Sequence, residues 1–554
     1  MRIYKNALCL LYRSKTLFIT LILLSVFVIW QTAGMYKNPV VSNPLGNAMT
    51  LSLYLFIIVM FVTFEYMKKL YNNGVAEAIL TTRKGRKRKN LLAAAGVMTS
   101  YSFLISAIIC GIVIREYLFY KITDPDNEYI IHIIKNILLH DFLVMELAIV
   151  IGITLANLVH RIAAYVIMTI FTLLSCPFAT NIANMLVESC AGNLQPGRIF
   201  YKIISNFYIV PRFNTKYLAE APFGESLMPD RLCIIGFWMF FFITILCITR
   251  KRYKVFAVFS GVMSLILIIV FHSPIARMNY GLDLFYGGDP DWVLAEKYCN
   301  KKEDADYRII SYDMNLTLNV SLFAKVNMNV SKSLDKYRMT LYNRYKVMRA
   351  TDQNGNQLRF TQDGNYLDIF NENKNHITNI VLTYYGSDTH YYANYQCCFL
   401  PGYFLYYPRA GYIPAYDKNY GYLYYDFVDK DTEFKVKINS PEKYISNLKL
   451  VDGKFVGKCD GFTLLKGFYK KKDLGHGNIF VYPYLDNNIV HDGKKSEYDC
   501  WKECFDMSAE ELKNEEVKDT MIFYDNALSM DQGWAYGNKQ YFIQSFPAFY
   551  CSMR

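Results

Sequence analysis

Residues 250–271 read RKRYKVFAVFSGVMSLILIIVF, which places four basic residues within five positions ahead of 17 residues without a charge. A bilayer core of ~30 Å is crossed by a helix of ~20 mostly apolar residues, because lipid offers an open backbone no hydrogen-bond partner. Before this stretch Leu, Ile, Val, Phe and Met dominate, whereas after it Tyr, Asn, Lys, Asp and Gly are abundant. The stretch therefore predicts a membrane-spanning helix that closes an apolar first half of the chain.

Working back toward the N-terminus, the apolar runs predict a multi-span α-helical membrane bundle. The first run is not expected to be a removed signal peptide, because it is long and lacks a small-x-small cleavage site. We predict a transmembrane domain over 1–272, a connector over 273–306 and a β-rich domain over 307–554. The seven predicted spans are Thr16–Tyr36, Ala48–Met67, Leu91–Ile114, Asp141–Val159, Ile162–Ala183, Leu232–Ile248 and Val255–Phe271.

The basic residues are distributed unevenly. Residues 1–272 carry 26 Lys and Arg against 12 Asp and Glu, and the remainder carries 34 against 36. The dense clusters lie in 2–15, 68–89 and 250–254, beside alternate spans. Because cytoplasmic connections are enriched in Lys and Arg, the N-terminus is predicted to be inside and the β-rich domain extracellular. The excess charge thus indicates a multi-pass plasma-membrane protein, and no nucleic-acid partner is predicted.

After about residue 307 the apolar residues alternate with period two, as in a half-buried strand. Asn354-Gly355 and Asp363-Gly364 are dipeptides that favour tight hairpins. The pattern predicts an extracellular, mainly-β, sandwich-like domain with antiparallel strands and a short helical part over Ser508–Asp525. Further strands are predicted at Met314–Leu322, Tyr366–Phe370, Ile377–Tyr385, Phe434–Ile438, Leu448–Val456 and Asn478–Val481.

Tyrosine and cysteine are frequent in this second half. Most tyrosines are expected to fill strand cores, although aromatic-rich outer surfaces also bind sugars or peptides. The odd number of cysteines leaves their pairing open, and the Cys500/Cys504 spacing has no second pair to complete a zinc site. No cofactor or metal is predicted. The seven cysteines are Cys299, Cys397, Cys398, Cys459, Cys500, Cys504 and Cys551.

Three acids fall within or beside the predicted spans. Glu146 is the deepest of them, and an ionisable group in hydrocarbon is a candidate for a transport pathway or for pairing between helices. Glu65 and Asp141 lie near span ends and are expected to reach water.

The second connection reads Glu65-Tyr-Met-Lys-Lys, then Gly74-Val-Ala-Glu-Ala-Ile-Leu-Thr-Thr, then a basic run over 83–89. It resembles the short cytoplasmic helix of ABC transporter permease subunits, the class with about six spans. The resemblance implies a permease that docks on a cytoplasmic ATPase supplied in trans and pairs with a second permease subunit, identical or related, in the lipid bilayer. A basic helix on anionic lipid is the alternative. The Pro usual in that family after the Thr pair is replaced here by Arg-Lys-Gly. The docking residues implied are Gly74, Val75, Glu77, Ala78 and Leu80.

The outer half resembles the N-terminal sandwich of zinc aminopeptidases of the HExxH family, in its strand patterns over 312–320, 380–386, 400–409 and 434–441. No His-Glu-x-x-His occurs in the sequence, and there is no phosphate-binding Gly-x-x-x-x-Gly-Lys-Ser/Thr. The chain is therefore expected to be a permease fused to a truncated, non-catalytic domain, and not itself an enzyme. Two alternatives stay open: a membrane anchor that displays a sensing or adhesion module, and the non-catalytic part of a split aminopeptidase.

Overall fold

The chain separates into two compact units, one formed by 1–215 with 227–277 and the other by 216–226 with 278–554. A computed structural model describes residues 2–34, 48, 51–72, 89–119, 127–176, 178–179, 182, 185, 199, 203–207, 209–210, 227, 229–249, 253–273, 301–386, 391, 393–415, 427, 430–440, 443–473, 477–483, 519–525 and 534–544.

The first unit is helical, and a five-residue π-helical segment, Leu138–Phe142, joins two of its helices into one continuous rod. The helices are α1 (Arg2–Arg13), α2 (Lys15–Gly34), α3 (Ser52–Asn72), α4 (Lys89–Phe119), α5 (Asn127–Ile137), α6 (Leu143–Leu158), α7 (Arg161–Ser175), α8 (Pro229–Ile248) and α9 (Lys254–His272).

Helices lie at all seven predicted span positions. Five stretches within them are long and apolar enough to cross a membrane: 15–33, 92–115, 128–158, 229–248 and 254–272. Of the other two helices, α3 has suitable length but carries Glu65, Lys68 and Lys69 toward its end. Helix α7 has only 15 residues. It ends well before the predicted Ala183, because Cys176 precedes a proline and is extended, with ψ 160°.

The directions of three helices follow from their contacts. A Cβ on Gly152 of α6 would lie 2.8 Å from the carbonyl oxygen of Met60 in α3, and Lys68 Nζ donates to the Val159 carbonyl oxygen at 2.9 Å. Later residues of α3 thus meet later residues of α6, so these helices run in the same direction. His140, before α6, contacts Arg231 at the start of α8, and Thr154 of α6 donates to the Phe242 carbonyl oxygen further along α8, so α8 runs in this direction too. Helices α3, α6 and α8 occupy the second, fourth and sixth predicted spans, which alternating spans require to be parallel.

The second unit is mainly β, which confirms that part of the predicted fold. Its strands are β1 (Ile309–Leu318), β2 (Leu322–Val330), β3 (Lys336–Thr340), β4 (Tyr345–Asp352), β5 (Arg359–Asp363), β6 (Tyr366–Phe370), β7 (Asn379–Gly386), β8 (Cys398–Leu400), β9 (Arg409–Ala410), β10 (Thr432–Ile438), β11 (Ile445–Ser446), β12 (Lys449–Val451), β13 (Lys454–Cys459), β14 (Leu464–Lys466), β15 (Tyr469–Asp473), β16 (Ile479–Pro483), β17 (Met521–Asp525), β18 (Trp534–Gly537) and β19 (Gln540–Gln544).

Four sheets contain these strands. A seven-stranded sheet has the order β12-β13-β10-β1-β2-β7-β4, a four-stranded sheet the order β5-β6-β3-β9, a three-stranded sheet the order β11-β14-β8, and a five-stranded sheet the order β15-β16-β17-β19-β18. Most of the described pairings are antiparallel, as predicted, but β1 pairs parallel with β10, and β17 pairs parallel with both β16 and β19. The sandwich arrangement stays a prediction.

Two further predictions in this unit need correction. Leu448–Val456 was expected to be one strand, but Asp452 and Gly453, with φ of 48° and 73°, fold it into the hairpin β12–β13. Both positive φ values suit an Asp-Gly turn. The helix predicted over Ser508–Asp525 is a strand in its described part, β17, where Ile522 and Phe523 are both fully buried. A strand buried on both faces loses the period-two alternation that would identify it.

Buried tyrosines fill the core of the large sheet, as predicted. Tyr312 of β1 stacks on Phe434 of β10 at 5.0 Å between ring centroids and meets Tyr407 edge-on at 5.1 Å. The Tyr312 hydroxyl donates to the Pro408 carbonyl oxygen at 2.9 Å. A buried phenol needs such a partner, so these tyrosines also fix the path of the loop that follows β8.

Candidate functional site

A group of charged side chains is buried inside the apolar helical unit. Arg231, on the first turn of α8, is 1% exposed, and His140 and Asp141, on the π-helical segment, are both 0% exposed. Asp230 is also buried, at 3% exposed. We call these four residues the Arg231 cluster. One permanent cation thus lies among two acids and an imidazole inside a bundle of apolar helices.

The π-helical segment positions two members of this cluster. A π turn inserts an extra residue into an α-helix and re-aims the side chains around it, and such turns occur frequently at functional sites. Here the turn lies between α5 and α6 and directs His140 and Asp141 into the bundle. The bulge therefore places polar side chains where a regular α-helix would continue its apolar face.

Arg231 is held by a backbone carbonyl and by the imidazole. Its Nε donates to the Ile209 carbonyl oxygen at 2.9 Å, its Nη2 donates to the same oxygen, and its Nη1 contacts Nδ1 of His140. The guanidinium also acts electrostatically on the Asp141 carboxylate. Neither carboxylate oxygen of Asp141 accepts a hydrogen bond from the described residues. Arg231 is the cation that acts on this buried acid, without a hydrogen bond between them.

Asp141 corrects an expectation from the sequence. It was placed near the start of a span and expected to reach water, but the helix begins at Asn127, so Asp141 lies in the middle of a continuous rod. The sequence did not predict helix α5, because charged and amide side chains interrupt its apolar positions. Asp141 is also more buried within the protein than Glu146, whose predicted depth in the membrane stays a prediction.

The loop between α7 and α8, in its described residues 203–207 and 209–210, lies at the same end of the bundle. Trp238 Nε1 donates to the Asn206 carbonyl oxygen at 2.6 Å, and His272 Nε2 lies 2.8 Å from Asn206 Oδ1. Val210 N donates to the Ser175 carbonyl oxygen at 3.3 Å. The start of α8 and the ends of α7 and α9 therefore meet at this loop, next to the carbonyl that holds Arg231. Sequence reasoning missed this partner, since a backbone carbonyl leaves no residue-type signature.

Glu146, the predicted intramembrane polar residue, is half-buried on α6. Its Oε2 accepts a hydrogen bond from Thr99 Oγ1 of α4 at 2.9 Å. This hydrogen bond links α4 to α6. Glu146 therefore pairs two helices, which is one of the two roles expected of an intramembrane acid, the other being part of a transport pathway.

Glu65, expected to reach water, is partly exposed and forms an ion pair with the exposed Arg161. It accepts from Arg161 Nε at 2.9 Å and from Arg161 Nη2 at 2.8 Å, and the Tyr165 hydroxyl donates to it as well. The Glu65 side chain is 16% exposed. Together with the Lys68–Val159 contact, this ties the last turns of α3 to the junction between α6 and α7. The predicted docking residues Gly74, Val75, Glu77, Ala78 and Leu80 follow α3 directly and lie outside the described residues.

The β unit shows no comparable concentration of reactive groups among its described residues. Cys397, Cys398 and Cys459 are buried free thiols. Burial raises the pKa of Cys459 to about 12 and that of Cys397 well above its usual value, so both stay protonated at neutral pH. No group of three or more His, Cys, Asp or Glu in the described parts of the chain could hold a metal. The other predicted cysteines, Cys299, Cys500, Cys504 and Cys551, lie outside those parts.

An open cavity of about 650 Å³ lies in the β unit. Lys302, Glu303, Arg308, Tyr412 and Lys430 are among its lining residues. The Glu303 carboxylate pairs with Arg338 at 3.1 Å. Charges of both signs on this surface suit a polar partner.

Comparisons with known proteins give partial likenesses only. No family model matches the sequence, and no curated protein matches it. Among solved structures, leukotriene A4 hydrolase from Saccharomyces cerevisiae is similar at 13% identity, over 43% of this chain and 41% of that one, with a TM-score of 0.29. An M1 zinc metallopeptidase from Deinococcus radiodurans is similar at 12% identity, over 45% of this chain and 63% of that one, with a TM-score of 0.30. The chain spans less than two thirds of either protein, and no functional residue is carried over from them.

Proposed function

We propose that this chain is the membrane-spanning permease subunit of an ATP-driven, ABC-type transporter, with the ATPase supplied in trans and the β unit outside the cell. The observation that carries the proposal is the Arg231 cluster. Charged side chains inside a membrane bundle are expensive, and where they occur they mark substrate or ion pathways. A protein that only displayed an outer module would need a single apolar span and no buried charge.

The proposed pathway requires the cluster to take two arrangements. Arg231 is bound by a loop carbonyl and an imidazole while it compensates Asp141. A shift of α8 relative to the π-helical segment would separate these partners, and a polar substrate or water would then replace them. With these partners together, the cluster excludes water and blocks the pathway. With them apart, it presents a hydrated polar surface. Alternating access requires such a bistable element.

The Glu65–Arg161 pair gives the proposed ATPase a mechanical route to this cluster. Helix α3 leads directly into the predicted docking segment, and its last turns are fastened to the α6–α7 junction by Glu65 and Lys68. Helix α6 continues from the π-helical segment that carries Asp141. A push on the docking segment would therefore move α3 and α6 together and reach the cluster along one rod.

The β unit would receive or shield substrate, or contact another subunit, and its cavity offers the surface for this. One bundle of this size would form half of the path, with a second permease subunit, identical or related, supplying the rest. The chain itself would hydrolyse neither ATP nor peptides.

Glu77→Arg is expected to release the ATPase without unfolding the permease. Glu77 is the acidic group of the proposed docking segment, and breaking a buried charge pair costs about 3–5 kcal/mol, which lowers affinity by two to three orders of magnitude. The measurement is co-purification of an ABC-type ATPase with the tagged full chain from its native cells, together with the ATP hydrolysis rate of the complex.

Lys87→Gln is the matched control, since it changes one charge in the redundant basic run of the same segment. It should retain the partner, because a single exposed charge contributes under about 1 kcal/mol. If Glu77→Arg and Lys87→Gln both keep the ATPase and full hydrolysis, docking through this segment is excluded. The segment is then better explained as a helix on the lipid surface.

A further inference from the structure

Helix α1 presents two apolar faces, and only one of them packs against the bundle. Ala7 and Leu11 are buried, at 7% and 5% exposed. Tyr4, Leu8 and Tyr12 are 39%, 49% and 66% exposed. Residues four apart form one row on a helix surface, so the last three make a continuous apolar strip. Only its ends touch described residues, Tyr4 at Ser100 and Tyr12 edge-on at Phe18, and most of the strip stays exposed.

The contacts of α1 locate it at one end of the helical unit. The Tyr4 hydroxyl donates to Ser100 Oγ of α4 at 2.9 Å, and the Tyr66 hydroxyl near the end of α3 donates to the Ala7 carbonyl oxygen at 2.8 Å. Only Ser14 separates α1 from α2. Helix α1 therefore lies where α2 begins and α3 ends, beside the first half of α4.

Cations flank the exposed strip. At about 100° per residue, Lys5 falls beside the strip and Arg13 farther round the helix, both on the side away from the buried Ala7 and Leu11. Both are exposed, as is Lys15 at the start of α2. The sequence contains no Asp or Glu before Glu65, so α1 carries a local positive charge without a neighbouring acid in the chain.

We propose that α1 is a lipid-binding helix that lies in the plane of the membrane surface, inserts the Tyr4–Leu8–Tyr12 strip among acyl chains and binds the phosphates of anionic lipids through Lys5, Arg13 and Lys15. An apolar face beside a basic face is what such interfacial helices share. The single-residue link to α2 keeps α1 at the level where that apolar helix enters the bilayer. The cytoplasmic leaflet, where the other basic clusters are predicted, carries the complementary negative charge.

The test uses the full chain in nanodiscs of phosphatidylcholine and phosphatidylglycerol in equal amounts, with a photoactivatable analogue of one lipid or the other. Cross-links within residues 2–15 are quantified by mass spectrometry. We expect phosphatidylglycerol to be captured there at least about tenfold more than phosphatidylcholine, since each cation near an anionic surface contributes roughly fivefold. The ratio of captured phosphatidylglycerol to captured phosphatidylcholine should fall toward one in the triple variant Lys5→Gln/Arg13→Gln/Lys15→Gln. It should also fall toward one for the wild type in 1 M salt.

Two controls keep the result specific. Cross-links to the exposed apolar residues Val255 and Val258 of α9 should show no headgroup preference in any variant. Replacing Lys435, Lys437 and Lys449 of the β unit by Gln removes three cations and should leave the α1 preference unchanged. A wild-type ratio near one, or a preference that survives both the triple substitution and high salt, overturns the proposal. If the triple variant fails to insert, the salt dependence of the wild type alone decides. Absence of any lipid cross-link at α1 would instead indicate that a protein covers the strip.

Discussion

Replacing Arg231 by methionine is expected to destabilise the helical unit severely, lowering its thermal midpoint in detergent by roughly 10 °C. The substitution keeps an unbranched side chain but removes the cation that acts on Asp141 and binds His140, and breaking a buried polar network of this kind costs about 3–5 kcal/mol. It also leaves the Ile209 carbonyl without the two donors it now binds.

The double variant Arg231→Met/Asp141→Asn separates charge compensation from a general loss of packing. Neutralising Asp141 as well should recover more than half of the lost midpoint, because coupled residues are strongly non-additive. Arg115→Met, the same substitution at an exposed position of α4, is the matched control and should be nearly neutral. A single variant as stable as the control, or a double variant less stable than the single one, would contradict the assignment of Arg231 as the partner of Asp141.

The second large effect is expected in the β unit, from Gly461→Ala. A Cβ at position 461 would lie 2.3 Å from the Gly402 carbonyl oxygen, a distance that only backbone movement can relieve. The Gly461 carbonyl accepts from Gln540 Nε2 at 2.7 Å and from Asn447 Nδ2 at 2.9 Å. Buried Arg409 donates to the Gly402 carbonyl. Moving either glycine therefore disturbs a junction of four chain segments, and we expect a loss of at least about 3 kcal/mol.

Near-UV circular dichroism of the full chain during thermal unfolding reports this loss, because the surrounding core is rich in tyrosine. Gly355→Ala is the control: its Cβ would meet nothing within 4 Å, and only its φ of 85° opposes the change, at a cost of about 1 kcal/mol. Equal midpoints for the two alanine variants would show that the Gly402–Gly461 approach does not limit stability.

The parts of this fold that were predictable are those set by one-dimensional patterns. Apolar run length located helices at all seven span positions, and period-two alternation located β6, β7 and β10 to within a few residues. The predicted strand Met314–Leu322 is wrong in its bounds, because it runs from β1 through the turn at 319–321 to the first residue of β2. The hairpin at Asp452-Gly453 and the strand Met521–Asp525 were missed for different reasons. The first interrupts a run that remains apolar on both sides, and the second is buried on both faces and so has no alternation.

The site itself was less predictable than the fold. The sequence indicated that intramembrane acids matter, but it ranked Glu146 above Asp141, because the start of the helix at Asn127 is concealed in an amphipathic segment. No sequence pattern indicated that Arg231 belongs to a buried cluster, since its partners Ile209 and His140 lie 22 and 91 positions away in the chain. Tertiary contacts of this kind carry no local pattern, and the π turn that creates them has no sequence rule of its own.

The whole functional account depends on which side of the membrane each unit faces, and cysteine accessibility in intact cells measures this most directly. Single cysteines at Lys87 and Asn354, in a chain whose native cysteines are replaced by serine, are exposed to a membrane-impermeant thiol reagent before and after permeabilisation. The account predicts that position 354 is labelled in intact cells, whereas position 87 is labelled only after permeabilisation. Labelling of position 87 in intact cells, with position 354 protected, would contradict it, because the segment proposed to meet a cytoplasmic ATPase would then lie outside.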